Sequence, residues 1–164
     1  KSGVCFMALA FLFISCSEED VAIPVANGDQ YQIDLTLSLQ TDWQIANRVL
    51  FLINQHRTSL GLSEIVSDTQ YASALAVEHT QYMIANNSLN HNNFDSREAT
   101  LHSRGATMVG ENVAKGYNTA DEVVTAWLNS SSHRQVIEGN FTHAGFGILS
   151  NSSDVHYYTM LIYK

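Results

Sequence analysis

The sequence predicts an α+β fold, in which helices pack on a small antiparallel sheet as a three-layer α-β-α sandwich. In two long segments of the first half, apolar residues recur every three or four positions, as in helices that bury one face. The last part of the chain instead carries two apolar runs separated by a polar turn at 151–154, which predicts a β-hairpin. No internal repeat is apparent, so the 164 residues predict one globular domain.

Two long helices are predicted first. One spans about 42–60, where Asp42 can cap its start and Gly61 can end it. The other spans about 69–85, with Asp68 as its cap. Its inward-facing stripe consists of Ala72, Leu75, Ala76, His79 and Met83. A histidine at such a position is most often a hydrogen-bonded structural residue, and this is the role predicted for His79.

The second half alternates short elements. A polar, asparagine-rich loop at 86–93 precedes a short strand at 110–115. A Thr-Ala-Asp-Glu sequence at 119–122 is a capping box that opens a third helix. A short helix at about 131–138 follows, and the hairpin then uses the two apolar runs at 141–149 and 155–163.

The N-terminal segment predicts export. Lys1 precedes an apolar run that has the length of a signal peptide and is too short to span a bilayer. This run ends at Ser15-Cys16, which resembles a lipoprotein signal in which the cysteine receives the lipid. Residues 1–15 are therefore predicted to be a signal peptide, with Cys16 as the lipidation site. The protein is expected on the cell envelope, at the outer membrane or the cell surface, anchored to the membrane through this lipid.

Residues 16–40 are predicted to be the lipid-anchored tether, and 41–164 the globular domain. Up to about residue 30 the tether is polar and contains the single proline, Pro24. Beyond it, apolar residues alternate with polar ones, a spacing of two that is typical of a β-strand. The alternating residues are Tyr31, Ile33, Leu35, Leu37 and Leu39. This extra strand could be an added sheet edge or part of the tether.

Composition limits the possible partners. The chain carries 16 acidic and 8 basic residues, for a formal net charge of −8. A nucleic-acid-binding protein is expected to present a basic surface, so nucleic acid is excluded as the expected partner. The same charge disfavours electrostatic binding to anionic lipid surfaces. A hydrophobic content of 45% is sufficient for a buried core without disulfides.

Three polar side chains could carry chemistry. His91 lies in the polar loop, and His133 lies at the start of the short helix, where backbone dipoles disfavour a charged imidazole. Glu111 lies on a predicted strand whose alternation puts it on the opposite face from Asn112. A carboxylate on such a half-buried strand is costly unless it is paired or bound to a metal. Their spacing matches no compact metal motif, so residue chemistry by itself favours structural roles for the histidines.

The order of short motifs along the chain resembles that of a known family. They are His91-x-x-Phe94, Gly110-Glu-Asn112, Trp127-Leu-Asn-Ser130-x-x-His133 and Phe141-Thr-His-Ala-Gly145-Phe-Gly147. This pattern is similar to the bacterial CAP domain, also called the SCP domain. The superfamily contains cysteine-rich secretory proteins, antigen 5 and pathogenesis-related proteins. The resemblance extends over about residues 42–164.

The resemblance implies a sandwich with a central cleft. His91 and His133 match the histidines that hold a divalent metal in some members, here zinc or magnesium, and Glu111 matches an acid of the cleft. Asn112 and Ser130 are expected to line the same cavity. Longer members of the family carry a second cavity glutamate near the position of Ser130. The family's set of four cavity residues is therefore reduced in this chain to His91, Glu111 and His133. The disulfides of the family are absent.

The resemblance leaves several functions open. The first is a binding module whose cleft takes a metal, a small apolar molecule, a lipid, a peptide or an envelope component. The second is a metal-dependent hydrolase, peptidase-like, with Glu111 as base and a metal on His91 and His133 that activates water. Catalytic zinc usually has three protein ligands, which weakens this alternative unless Glu111 is itself a ligand. A serine hydrolase using Ser130 or Ser132 with His133 is disfavoured, because no nucleophile-elbow motif is present. A purely structural role is the third possibility.

Overall fold

The computed structural model describes residues 32–164, so the predicted signal peptide, Cys16 and most of the predicted tether lie outside the described residues. Within this range, no helix is both long and apolar enough to cross a bilayer. A 3-10 helix at Leu35–Gln40 precedes the helices and strands of the domain. In chain order these are α1 (Trp43–Ser59), β1 (Val66–Ser67), α2 (Tyr71–Ala85), α3 (Phe94–Ser103), β2 (Val109–Lys115), α4 (Ala120–Asn129), α5 (Ser131–Glu138), β3 (His143–Ser150) and β4 (His156–Tyr163).

The described strands form one sheet in the order β1-β3-β4-β2. The predicted hairpin of β3 and β4 is antiparallel, and β4 also pairs with β2 in an antiparallel arrangement. The short strand β1 pairs with β3 in parallel, so the sheet is mixed rather than purely antiparallel. A strand of two residues shows no alternation along the sequence, and this is why it was not predicted. The predicted α+β class is confirmed.

Helices cover both faces of this sheet. Alternate side chains of a strand point to opposite faces, and β4 shows this directly. Its residues Met160 and Ile162 lie in the larger core cluster, with α1, α4 and α5. The intervening Leu161 lies in a second cluster, with α2 and α3. The sheet is therefore the middle layer of the predicted sandwich.

Helix α2 approaches the sheet more closely than ordinary side chains would allow. A Cβ atom on Gly145 would overlap the backbone of Ala72, and one on Gly147 would overlap the backbone of Ala76. These two glycines of β3 and the small residues of α2 fit together, so the helix rests directly on the strand. Helix α2 thereby sets the position of the loop that follows it, which contains His91.

Local sequence signals place most helices within one or two residues. The Asp42 carboxylate accepts a hydrogen bond from the Ile45 amide at the start of α1. Both hydrogen bonds of the capping box between Thr119 and Glu122 are present at the start of α4. Asp68 accepts bonds from amides of the first turn of α2, although the helix itself begins later than predicted, at Tyr71.

The predicted strand over 31–39 is wrong. Within the described residues, the later part of this segment forms the 3-10 helix at Leu35–Gln40, which begins where the Asp34 carboxylate accepts a hydrogen bond from the Thr36 amide. Leu39, one of the alternating apolar residues, is 78% exposed, so the alternation does not reflect one buried face. The indole of Trp43 donates to the Ser38 carbonyl and ties the segment to α1. Part of the predicted tether therefore packs on the domain.

Helix α3 was not predicted at all. Its buried residues are Arg97 and Leu101, so it lacks the apolar stripe by which an amphipathic helix is recognised. It follows Asn93, whose φ of 61° puts it in the left-handed region that asparagine tolerates. The helix is nevertheless central to the site, because it contributes Arg97.

Candidate functional site

The strand β2, at one edge of the sheet, carries two neighbouring polar residues that point in opposite directions. Glu111 pairs in register with Leu161, and Asn112 with Met160. Glu111 therefore faces the layer of α2 and α3, whereas Asn112 faces the layer of α1, α4 and α5. Both are buried, with 8% and 0% of their surface exposed. The predicted alternation of these two residues is correct, and it extends the candidate site across both faces of the strand.

Glu111 is paired with a buried arginine. The Arg97 Nε donates to Oε2 of Glu111 at 2.8 Å, and its Nη2 donates to Oε1 at 2.9 Å. The two side chains are 7% and 2% exposed. This is the bidentate geometry in which an arginine–carboxylate pair is strongest. A buried carboxylate can be stabilised by a cationic side chain or by a metal. In this structure, the cation of Arg97 stabilises Glu111.

His91 is within hydrogen-bond distance of the same carboxylate. Its Nδ1 lies 2.8 Å from Oε1 of Glu111, while its side chain is 51% exposed. A carboxylate held by Arg97 can only accept hydrogen bonds, so Nδ1 must carry the imidazole proton when the ring is neutral. The lone pair of the ring is then on Nε2, the nitrogen that Glu111 does not contact.

The backbone of the loop that carries His91 is fixed by hydrogen bonds to two side chains. The Nε2 of His79 lies 2.8 Å from the Asn90 carbonyl, which confirms the structural role predicted for His79. Arg97 also donates from Nη1 to the Asn92 carbonyl at 2.8 Å. Both residues adjacent to His91 are therefore anchored through their backbones, and the exposed ring is presented from a fixed loop.

His133 approaches from the other layer. It lies in the first turn of α5, and the Asn112 Nδ2 donates to its carbonyl at 3.0 Å. Its ring makes no hydrogen bond within the described part of the chain. Burial lowers the pKa of His133, and the nearby charge of His91 lowers it further, so the two rings lie within range of each other's charge. A neutral imidazole is the form that binds a metal.

The remaining predicted site residues show no chemistry of their own. Ser130 lies between α4 and α5, and its hydroxyl is 3.3 Å from that of Ser132. Neither hydroxyl contacts the His133 ring in the described residues, so the geometry of a serine nucleophile with its base is absent there. The Oδ1 of Asn112 is buried without a hydrogen-bond partner on the described chain. Asn112 therefore acts as the link between β2 and the backbone of α5.

A metal at this site would have the imidazoles of His91 and His133 as its protein ligands. His91 offers Nε2, and the His133 ring makes no hydrogen bond to any described residue, whereas both oxygens of Glu111 are already engaged. No group of three or more histidine, cysteine, aspartate or glutamate side chains that could hold a metal occurs within 32–164. Imidazole ligands suit zinc, while magnesium prefers oxygen. The imidazole nitrogens thus fit a divalent transition metal better than they fit magnesium.

Arg97 is the site residue that sequence reasoning missed. An acid predicted on a half-buried strand requires a cation or a metal, and this requirement was the available signal. It did not identify Arg97, because helix α3 was not predicted and several basic residues could have supplied the charge. The pairing joins residues 14 positions apart on different elements.

A separate concave surface lies on the outer side of α1. This groove has a volume of about 460 Å³. It is lined by Asn47, Leu50, Phe51, Asn54, Gln55, Thr58 and Glu64. None of the predicted site residues contributes to it.

Comparisons with known proteins agree with the fold and the motif order. The model of the cysteine-rich secretory protein family, CAP, matches residues 50–163. The uncharacterized protein YkwD of Bacillus subtilis is 36% identical over 112 residues, which cover 65% of this chain and 43% of that protein. The uncharacterized membrane protein YlbC of the same organism is 30% identical over 124 residues, covering 71% of this chain and 34% of that protein. This chain thus spans less than half the length of either relative.

Solved structures share the architecture. An outer surface protein from Borrelia burgdorferi has a TM-score of 0.66 at 21% identity, covering 74% of this chain and 92% of that one. An extracellular protein containing an SCP domain, from Bacillus anthracis, has a TM-score of 0.61 at 25% identity, covering 72% of this chain and 39% of that one. These similar proteins are described as surface or extracellular proteins.

Proposed function

Since this chain belongs to the cysteine-rich secretory protein family, CAP, we propose that it is an exported binding protein of the cell envelope. In this proposal, His91 and His133 hold a divalent metal at the edge of the sheet. The metal, when bound, supplies an electrophilic anchor for an oxygen or nitrogen atom of a small-molecule, lipid or peptide ligand.

The pairing of His91 with Glu111 is the observation that carries the proposal. Metal-binding histidines in proteins usually donate their second ring N–H to a carboxylate, a backbone carbonyl or water, which fixes the tautomer and orients the ring. His91 has this arrangement, with Nδ1 on Glu111 and the opposite nitrogen unengaged. The lowered pKa of His133 supports the same function, because it keeps that ring neutral near neutral pH.

The metal-dependent hydrolase is less well supported. A general base must have an oxygen free to take a proton from water. Both oxygens of Glu111 accept hydrogen bonds from Arg97, and one of them also contacts His91. The side chain is 2% exposed, which leaves little surface for water to approach. Glu111 is better suited to orienting His91 than to accepting a proton.

Calorimetric titration with zinc tests the metal site. We expect the wild type to take up zinc and to bind magnesium more weakly, because imidazole nitrogen prefers the softer ion. The double variant His91→Ala/His133→Ala should lose the zinc signal. His102→Ala is the matched control, because this histidine is exposed on α3 and bonds to the Ala106 carbonyl. Equal zinc uptake by the double variant would refute the proposed site.

A further inference from the structure

One side chain, that of Arg97, contacts two of the groups that fix the His91 environment. Arg97 is 6% exposed and makes its hydrogen bonds with three different donor nitrogens. Two of them hold both oxygens of Glu111, and the third holds the carbonyl of Asn92, the residue that follows His91. The arginine therefore binds both the carboxylate that supports the ring and the loop from which the ring projects.

We propose that Arg97 is a positioning residue that keeps neutral His91 in the tautomer protonated on Nδ1, with Nε2 free for a ligand. Its relevance to a metal rests on the proposed function, but the tautomer itself does not. Arg97 does not reach the ring directly. It acts through Glu111, whose Oε1 accepts from Nδ1 while the guanidinium prevents the carboxylate from turning away.

The geometry requires an arginine rather than any cation. The planar fork of a guanidinium can engage two carboxylate oxygens and still direct a third nitrogen elsewhere. Here that third direction is the Asn92 carbonyl, 2.8 Å from Nη1. A lysine carries one compact ammonium and cannot reproduce this separation of donors. Lysine at position 97 would keep the charge beside Glu111 but would not secure both the carboxylate and the loop.

Nitrogen-15 NMR of the metal-free protein tests the proposal, because the two ring nitrogens of a neutral histidine have distinct shifts when protonated and unprotonated. At a pH where His91 is neutral, the wild type should show a proton on Nδ1. Arg97→Gln should shift the ring towards a mixture of tautomers.

Because this variant leaves a buried carboxylate unpaired and could fail to fold, Arg97→Gln/Glu111→Gln serves as a second variant with a neutral pair. Arg97→Lys should restore the wild-type tautomer in part, and Arg48→Gln on α1 should leave it unchanged.

Zinc titration of the same samples separates this inference from the proposed function. If both are correct, Arg97→Gln should bind zinc about 10- to 100-fold more weakly, as is usual when a residue supporting a ligand is removed. A tautomer change without zinc binding by the wild type would support the role of Arg97 and refute the metal site. A wild-type ring protonated on Nε2, or a tautomer that no Arg97 variant alters, would overturn the inference.

Discussion

Two histidines of this domain bind protons less readily because the fold buries one of them, His79, and partly buries the other, His133. His79 is 3% exposed, and its pKa is lowered first by burial and then by the positive charge of Arg97. The pKa of His133 is lowered by burial and by His91. An unfolded chain restores each histidine to its ordinary pKa of about 6.5. In the interval below that value, the unfolded state therefore binds more protons than the folded state does.

The free energy of unfolding should consequently fall as the pH decreases from about 6.5 towards the lowered pKa values. The slope from each histidine is at most about 1.4 kcal/mol per pH unit. His79→Gln should give a shallower slope, because glutamine does not titrate and can still donate to the Asn90 carbonyl. Urea unfolding at several pH values between about 5 and 7.5 measures the effect. A variant slope as steep as that of the wild type would contradict the assignment to His79.

At the scale of elements, helix α5 depends on a buried arginine of α1. Arg57 is 2% exposed, and its charge is satisfied by backbone carbonyls rather than by an acid. Its Nη1 donates to the carbonyls of Ile137 and Gly139, at the C-terminal end of α5. The negative end of the helix dipole favours a cation at this position. Arg57 thereby fixes one end of the helix whose first turn carries His133.

Replacing Arg57 by methionine should destabilise the domain by about 2–4 kcal/mol, because several buried carbonyls lose their donors and unsatisfied groups of this kind are expensive. The methionine side chain still fills much of the same space. Arg48→Met is the matched control on the same helix, because the exposed ion pair of Arg48 with Asp121 is screened by solvent and should contribute little to stability. Thermal unfolding followed by circular dichroism measures both. Equal losses in the two variants would contradict the structural role of Arg57.

At the scale of the whole molecule, the chain is acidic, with 16 acidic and 8 basic residues. The net charge of −8 does not favour electrostatic attachment to an anionic membrane. Membrane association would then depend on the lipid expected at Cys16, which lies outside the described residues. The lipid anchor remains a prediction from the sequence.

Cell fractionation tests the anchor. Cys16→Ala should move the protein from the membrane fraction to the soluble fraction, since the acylated residue is removed. Cys5→Ala is the control, because this cysteine lies within the predicted signal peptide and should not change the distribution. Retention of Cys16→Ala in the membrane fraction would count against lipidation.

Several parts of the fold could be predicted because their causes are local. The Asp42 cap and the capping box of Thr119 and Glu122 act within one turn of a helix, and the hairpin follows from apolar runs on either side of a turn. Predictions from local patterns were wrong where the buried residues did not match the apolar positions of the pattern. The 3-10 helix at Leu35–Gln40 takes in the later part of the alternation predicted over 31–39, and α3 buries an arginine where an apolar residue would be expected.

The sequence by itself determined the alternation of Glu111 and Asn112 across β2, and the order of motifs identified His91, Glu111 and His133 as a group. Only the tertiary structure decided what Glu111 does. Its partner Arg97 comes from a different element, and which charges meet depends on how helices pack against the sheet rather than on their separation along the chain. Because the cost of burying a carboxylate can be offset by a cation or by a metal, the sequence left both open, and the packing of α3 supplies the cation.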